Sequence, residues 1–339
     1  MNATSAPFVS IVVPVYNQTH LLKKLLKSVW DEPMPAGSVE VVVTDDGSAP
    51  PVSVEIPGGT AFHLLRHETA RGAAAARNTG AEVARGDVLL FLDADTILEP
   101  GSLKRVHERF QTEPTLGALN GGGAVDPANP EDGFTPRYRA MVDHVQQNRR
   151  APEACSFFTP RLGAVRKKFF DACGRFDPAF PGASVEEYEF GHRLTKLCAI
   201  GFDPQINVLH HYQKFRKNCR NFYSRVRFWM PLFWKRRKFE NFGATTGSYG
   251  VGTVFGAIAP LLLPFACTGT ASPVFLAGFM TSVGIFLAGY RELFLWTWRL
   301  KGFGFLVKTV LLSWWLCFFI TAGALAGTMD TLLGGNPKN

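Results

Sequence analysis

From Asn241 to Tyr290 the chain carries no charged side chain, and from Gly302 to Met329 it carries one, Lys308. A water-soluble surface is not built this way, because exposed faces need charge. About 20 apolar residues cross a bilayer as a helix. Three such spans are expected, at about 248–267, 273–290 and 305–325, with the first two hinged at Thr268-Gly-Thr-Ala-Ser-Pro273. Very buried core helices are the alternative, but three in succession with almost no polar face argue against them.

The segment just before these spans is the reverse in character. Between Asp203 and Glu240 stand ten Lys/Arg and no acid, interleaved from Lys214 to Phe242 with Phe222, Tyr223, Phe228, Trp229, Phe233 and Trp234. Much of the net charge of +8 is local to it. Because it borders directly on the apolar spans, anionic lipid head groups are its expected partner and nucleic acid is not. Rings at head-group depth with cations toward phosphates make it an interfacial helix. Lys235–Lys238 precede the first span, and Arg291, Arg299 and Lys301 lie between the second and third. The positive-inside rule then puts residues 1–212 in the cytoplasm and the C-terminus outside. Met1–Pro7 lacks a basic-then-apolar pattern, so no signal peptide is read there. Six scattered cysteines without a Cys-x-x-Cys fit a reduced compartment.

The first 205 residues alternate strands and helices. Phe8–Val15 reads as a buried strand, and Thr19–Trp30 as a helix through Leu21, Leu22, Leu25, Leu26 and Val29. Val39–Thr44 and Phe62–Leu65 are further strands, Gly72–Arg85 an Ala-rich helix, and Val88–Leu92 a fourth strand. Leu162–Val165, Glu186–Cys198 and Ile206–Leu209 follow as strand, helix and strand. This order predicts an α/β fold with a mostly parallel sheet. Ligands in such sheets bind beyond the carboxyl ends of the strands. Tyr16–Asn17, Asp45-Asp46-Gly47-Ser48 and Asp93-Ala-Asp95 all fall there. Each acidic pair alone reads as a turn or a solvated loop. Two acidic loops at adjacent strand ends, where phosphates would bind, imply a divalent cation, and hard oxygen donors suit Mg²⁺ or Mn²⁺.

The motifs are more specific in order than singly. Ser10-Ile-Val-Val-Pro-Val-Tyr-Asn17 is followed by Val43-Thr-Asp-Asp-Gly-Ser48, Ala76-Arg77-Asn78-Thr-Gly80 and Phe91-Leu-Asp-Ala-Asp95. Later come Ala164-Val-Arg-Lys-Lys-Phe-Phe-Asp-Ala-Cys-Gly-Arg-Phe-Asp177 and Glu186-Glu-Tyr-Glu-Phe-Gly-His-Arg-Leu194. Over about residues 8–212 this series resembles family 2 of the glycosyltransferases. The resemblance implies a GT-A, Rossmann-like domain over 1–212. An interfacial segment at 213–243 and a membrane region at 244–330 would complete the chain.

The resemblance also implies roles. Pro14, Tyr16, Asn17 and Asp46 would line the base and ribose pocket, Arg77 would fix the donor, and Asp93 would sit near the ribose. Asp95 would bind the metal, with His210 as a further ligand by family position. Adjacent strand residues point to opposite faces, so at most one of His210 and His211 should reach the site. Glu186 and Arg193 would stand on the acceptor side. Glu187 would be the general base, in the place where the family usually has Asp. Glu189 and Arg193, four apart on a helix, are read as a plain ion pair.

The function so implied is inverting, metal-dependent sugar transfer from a nucleotide-sugar, a UDP-sugar in the first instance. The acceptor would be a hydroxyl on a lipid-linked sugar or glycolipid. The enzyme would sit in the plasma (inner) membrane with its catalytic domain cytoplasmic, in cell-envelope synthesis; a homo-oligomer stays open. The alternative is a polyprenyl-phosphate glycosyltransferase, whose anionic acceptor needs no base. A non-catalytic scaffold would have broken acidic loops, and here they are intact. A polysaccharide synthase would carry Gln-x-x-Arg-Trp, of which Ser224-Arg-Val-Arg-Phe-Trp229 is a loose echo.

Overall fold

The computed structural model describes residues 9–35, 38–58, 61–148, 154–180, 185–241, 243–267 and 272–334. Phe8, Phe242 and the hinge residues 268–271 lie outside them. In chain order the elements are β1 (Val9–Val15), α1 (Thr19–Trp30), β2 (Val39–Asp45), β3 (Ala61–Arg66), α2 (Ala73–Val83), β4 (Val88–Leu92), β5 (Thr96–Leu98) and α3 (Ser102–Thr112). Next come β6 (Ala118–Gly123), α4 (Phe134–Asn148), β7 (Leu162–Arg166), α5 (Lys167–Ala172), α6 (Glu186–Leu194) and β8 (Ile200–His210). The last are α7 (Phe215–Arg236), α8 (Gly247–Ala266), α9 (Ser272–Gly289), α10 (Arg291–Lys301) and α11 (Phe303–Leu332).

The strands form one eight-stranded sheet in the order β3-β2-β1-β4-β7-β6-β8-β5. β3, β2, β1 and β4 are mutually parallel, as are β6 and β8, while β7 and β5 run antiparallel to their neighbours. The sheet is therefore mixed but mostly parallel, a GT-A-like arrangement. The Val- and Leu-rich runs of β1 and β4 are buried nearly throughout because the sheet has covered faces. α1 lays Leu21, Leu22, Leu25, Leu26 and Val29 onto that core.

α2 is Ala-rich because it lies close on the strands: a Cβ on Gly80 would stand 2.7 Å from the Val12 side chain and 3.1 Å from the Thr44 hydroxyl. An aromatic cluster forms on β4. Phe91 meets Phe170 and Phe176 at ring separations of 5.3 Å, and Phe176 meets Phe190 of α6 at 4.5 Å.

Two spans differ from expectation. β8 begins at Ile200, six residues before the expected Ile206. Asp203 and Pro204 interrupt the strand pattern, and the sheet accommodates them by a register shift against β6 between Asn120 and Gly122. α6 stops at Leu194, short of the expected Cys198, and continues as turns.

Residues 9–130 with 154–211 make one compact unit, and 131–148 with 212–334 a second. α4 groups with the second unit. There Phe134 packs on Phe305 at 4.9 Å, the Tyr138 and Ser313 hydroxyls lie 3.0 Å apart, and His144 meets Trp296 at 6.1 Å. α8 and α9 form an antiparallel hairpin, joined by a 2.7 Å contact between the Thr253 and Tyr290 hydroxyls and by Phe265 on Phe275 at 5.2 Å. α8, α9 and α11 are each long and apolar enough to cross a membrane. α11, with 30 residues, is longer than the span read from the sequence.

Candidate active site

The polar residues at the carboxyl ends of β1, β2 and β4 are organised by hydrogen bonds within the first unit. Asn17 adopts a left-handed conformation, φ 54°. Its N–H donates to the Ser48 hydroxyl at 2.9 Å, and its side-chain oxygen accepts from the Ala49 N–H at 2.8 Å. The loops after β1 and β2 are thereby tied together. Tyr16 stands 52% exposed beside that tie, and Pro14 is half-buried.

Asp45 turns inward to the N–H groups of Ser48 and Val52 at 2.8 and 3.1 Å and to the Arg66 guanidinium. Burial works against its ionisation, but these donors outweigh burial and hold its carboxyl below the usual range. Asp46 accepts from the Arg71 and Gly72 N–H groups at 2.9 and 2.8 Å and lies 2.6 Å from Nδ1 of His67. His67 reaches the Thr79 hydroxyl through Nε2 at 3.0 Å. The buried Asp46 carboxylate thus shapes the loop entering α2. Gly47, at φ +80°, sits against the same loop, where a Cβ would come within 2.9 Å of the Ala70 nitrogen. His67 was not singled out in the sequence; its one signal is its place just past the end of β3, where the other polar loops cluster.

Arg77, near the middle of α2, is 2% exposed. One guanidinium nitrogen donates to Asp93 at 2.7 Å and another to Glu186 at 3.0 Å, while the group lies 5.6 Å from the Phe176 ring centre. Burial alone would lower its pKa, but the two carboxylates outweigh burial and raise it. Its neighbour Asn78 exchanges two hydrogen bonds with the Phe176 backbone, at 2.8 and 3.1 Å. α2 is therefore the strut between the Asp93 turn and the start of α6.

Asp95 lies across from His210, with Nε2 at 3.1 Å from its carboxylate. The pairing of β5 with β8 places them so, because Thr96 is opposite His210. His211 meets Asp95 through its backbone N–H instead, at 2.8 Å. Burial would raise the Asp95 pKa, but the His210 charge and hydrogen bond outweigh it and keep the carboxyl low. Among the described residues no group of three or more His, Cys, Asp or Glu side chains gathers as a metal cage. An imidazole nitrogen facing a carboxylate nevertheless fits a divalent ion whose remaining positions go to water and phosphate oxygens, as such ions prefer beside nucleotides.

Glu186 and Glu187 open α6, and both are buried. The Glu187 carbonyl accepts from the Phe158 N–H at 3.3 Å. Arg193 forks onto Glu189 at 2.6 and 2.7 Å and also donates to the Cys173 and Arg175 carbonyls. This pair anchors α6 to the segment after α5, a structural duty that matches its helical spacing.

Residues 10–174 match the domain described as Glycosyl transferase family 2. The chain is 30% identical over 188 residues to an uncharacterized glycosyltransferase of Haemophilus influenzae, covering 56% of this chain and 61% of that protein. It is 28% identical over 229 residues to the pre-mycofactocin glycosyltransferase of Mycobacterium tuberculosis, covering 65% of this chain and 46% of the relative. The chain thus spans less than two thirds of the length of these relatives. In fold it is similar to the mannosyltransferase PcManGT of Pyrobaculum calidifontis, solved with GDP-Man and Mn²⁺. The TM-score is 0.51 at 18% identity, over 98% of this chain and 89% of that one.

Proposed function

We propose, for a chain that carries a glycosyl transferase family 2 domain over residues 10–174, that it transfers a sugar from a nucleotide-sugar to a hydroxyl acceptor at a membrane, with inversion. The observation that carries the reading is the Asp95–His210 pair at the end of the sheet, in the same unit as the Asp93–Arg77–Glu186 bridge. The pair would supply a metal-phosphate site, and the bridge fixes the helix that bears the acids.

Asp95 and His210 would hold Mg²⁺ or Mn²⁺ against the donor diphosphate. Bound there, the ion neutralises charge that develops on the leaving nucleotide. The similarly folded mannosyltransferase was solved with GDP-Man and Mn²⁺, which supports this choice. Tyr16, Asn17 and Pro14 would border the base. Asp46 orders the loop ahead of α2 and Arg77 fixes Asp93, so both act on the donor pocket through its shape. Glu187 would take the proton from the acceptor hydroxyl as its oxygen attacks the anomeric carbon and the nucleotide diphosphate leaves. The three long apolar helices and the cations of α7 favour an acceptor carried on lipid, at the cytoplasmic face.

The test is incubation of the purified full chain with a panel of UDP- and GDP-sugars, Mn²⁺ and a lipid extract. Nucleotide and lipid products are then identified by mass spectrometry. One donor should yield free nucleotide and a glycosylated lipid in equal amounts. No nucleotide release from any donor above a protein-free control would overturn the reading. A product bearing the sugar on a polyprenyl phosphate would shift the acceptor to phosphate.

A further inference from the structure

α7 and the second half of α11 run side by side and parallel. The Tyr223 carbonyl faces Gly323 and the Arg227 carbonyl faces Gly327, so close that neither glycine could carry a Cβ without displacement. Farther along, Arg227 forks onto Asp330 at 2.6 and 3.1 Å, and the Trp234 indole donates to Thr328 at 3.0 Å. At the other end the two helices flank a groove of about 450 Å³, lined by Phe215, Arg216, Arg220 and Tyr223 of α7 and by Trp315 and Phe319 of α11. At each level from Trp315 to Asp330 the two helices therefore lie at matching depth, and whatever inclination α7 has, α11 shares.

α7 settles which depth that is. Its cations extend from Arg216 to Arg236 and include Arg225 and Arg227 in its middle turns, with no acid anywhere along it. Snorkelling reaches the interface from helix ends, whereas middle-turn cations would stand in hydrocarbon. A helix so charged stays among the head groups, and its close neighbour stays with it. The length of α11 agrees. Thirty residues extend about 45 Å, well beyond a hydrocarbon core of about 30 Å. α11 also keeps a single exposed apolar stripe, Phe303, Val307, Leu311, Trp315, Leu325 and Met329, along its whole length. Thr309, Ser313, Leu316, Gly323 and Gly327 on its other side are buried.

We propose that the second half of α11 lies along the membrane surface beside α7, at head-group depth, and that the chain's last helix therefore ends on the same side of the bilayer as α7. The partner is a lipid surface with anionic head groups. In the groove, Arg216 and Arg220 meet lipid phosphates while Trp315 and Phe319 sit among the first carbons of the acyl chains. This reverses the orientation that loop charge assigns to the last helix, because loop charge ignores what the helix packs against. It does not depend on the transferase reading.

Two measurements on the full chain in its native membrane test it, in a Cys267→Ser background because Cys267 is exposed. Spin labels replace Trp315, Leu325 and Met329 one at a time, and their bilayer depths are measured by relaxation against oxygen and a polar nickel chelate. Equal depths, within one helical turn, are expected. Depth that shifts steadily by about 21 Å from Trp315 to Met329 overturns the proposal. Separately, Leu333→Cys and Lys217→Cys are labelled with a membrane-impermeant maleimide in sealed vesicles of each orientation. Labelling of both from the same side is expected, and labelling from opposite sides overturns it.

Discussion

Arg77 and Glu186 stand 109 positions apart in the chain and form a buried ion pair at 3.0 Å. The same guanidinium holds Asp93 at 2.7 Å. One side chain thereby sets the position of α6 relative to the aspartates of the strand end. Removing it would leave two carboxylates facing each other with their shared cation gone. Arg77→Ala should cost roughly 3–5 kcal/mol, and Arg77→Lys less, because a lysine keeps the charge but not the fork. Thermal unfolding of the purified variants checks this. An Arg77→Ala variant that melts with the wild type would show the bridge to be dispensable.

The Asp95–His210 pair predicts graded metal binding. His210→Ala should weaken Mn²⁺ binding while the protein stays folded, and Asp95→Ala should abolish both metal binding and transfer. Titration of Mn²⁺ followed by its electron spin resonance reads the affinity directly. Unchanged affinity in His210→Ala removes the histidine from the metal site, and full activity in excess chelator removes the metal from the reaction.

Glu187 and Glu189 sit two apart on α6 with different surroundings. Glu189 is engaged by Arg193 through two hydrogen bonds at 2.6 and 2.7 Å. As the proposed base, Glu187 should be the sensitive one: Glu187→Gln is expected to cut turnover by about 10²- to 10⁴-fold with donor binding intact. Glu189→Gln should lower thermal stability more than turnover. Steady-state rates and donor affinity for both variants decide it, and a fully active Glu187→Gln would transfer first place to the phosphate acceptor.

Glu40 provides a pH prediction away from the site. Burial opposes its charge, yet the Ser10 hydroxyl, the Arg85 N–H and the Arg85 guanidinium outweigh burial and lower its pKa below the ordinary 4.5. A folded pKa below the unfolded one contributes stability that is complete above the unfolded value and lost as pH falls through the folded value. Melting temperature should hold from pH 7 to about 5 and then fall. Glu40→Gln should be less stable at neutral pH and fall less steeply below pH 4.5. Parallel profiles for the two proteins would show that Glu40 takes no part in the acid transition.

Local pattern was enough for much of the fold. β1, α1, β2, β4 and the α8–α9 pair lie within a residue or two of where apolar runs and helical spacing put them, because an apolar run marks burial wherever the chain goes. Local pattern was not enough for β8, whose first half carries Asp203 and Pro204 and is a strand only because β6 pairs with it from Ile200 to Phe202. Nor was it enough for α4. Its helix belongs with α10 and α11 rather than with the strands around it in the sequence.

The candidate site divides along the same line. The acids at strand ends, the Arg-Asn of α2 and the acid pair opening α6 were legible in the order of their motifs. Their partners were not. That Asp46 is taken up by His67 and the loop before α2, that Arg77 joins Asp93 to Glu186, and that His210 rather than His211 faces Asp95 through its ring all depend on contacts between distant segments. Residue type and spacing determine which groups can carry charge, metal or a proton, and which stretches avoid water. Which of those groups is already engaged is decided only when the sheet register and helix packing bring remote side chains within hydrogen-bond distance. Such contacts leave no periodic trace in the chain that makes them.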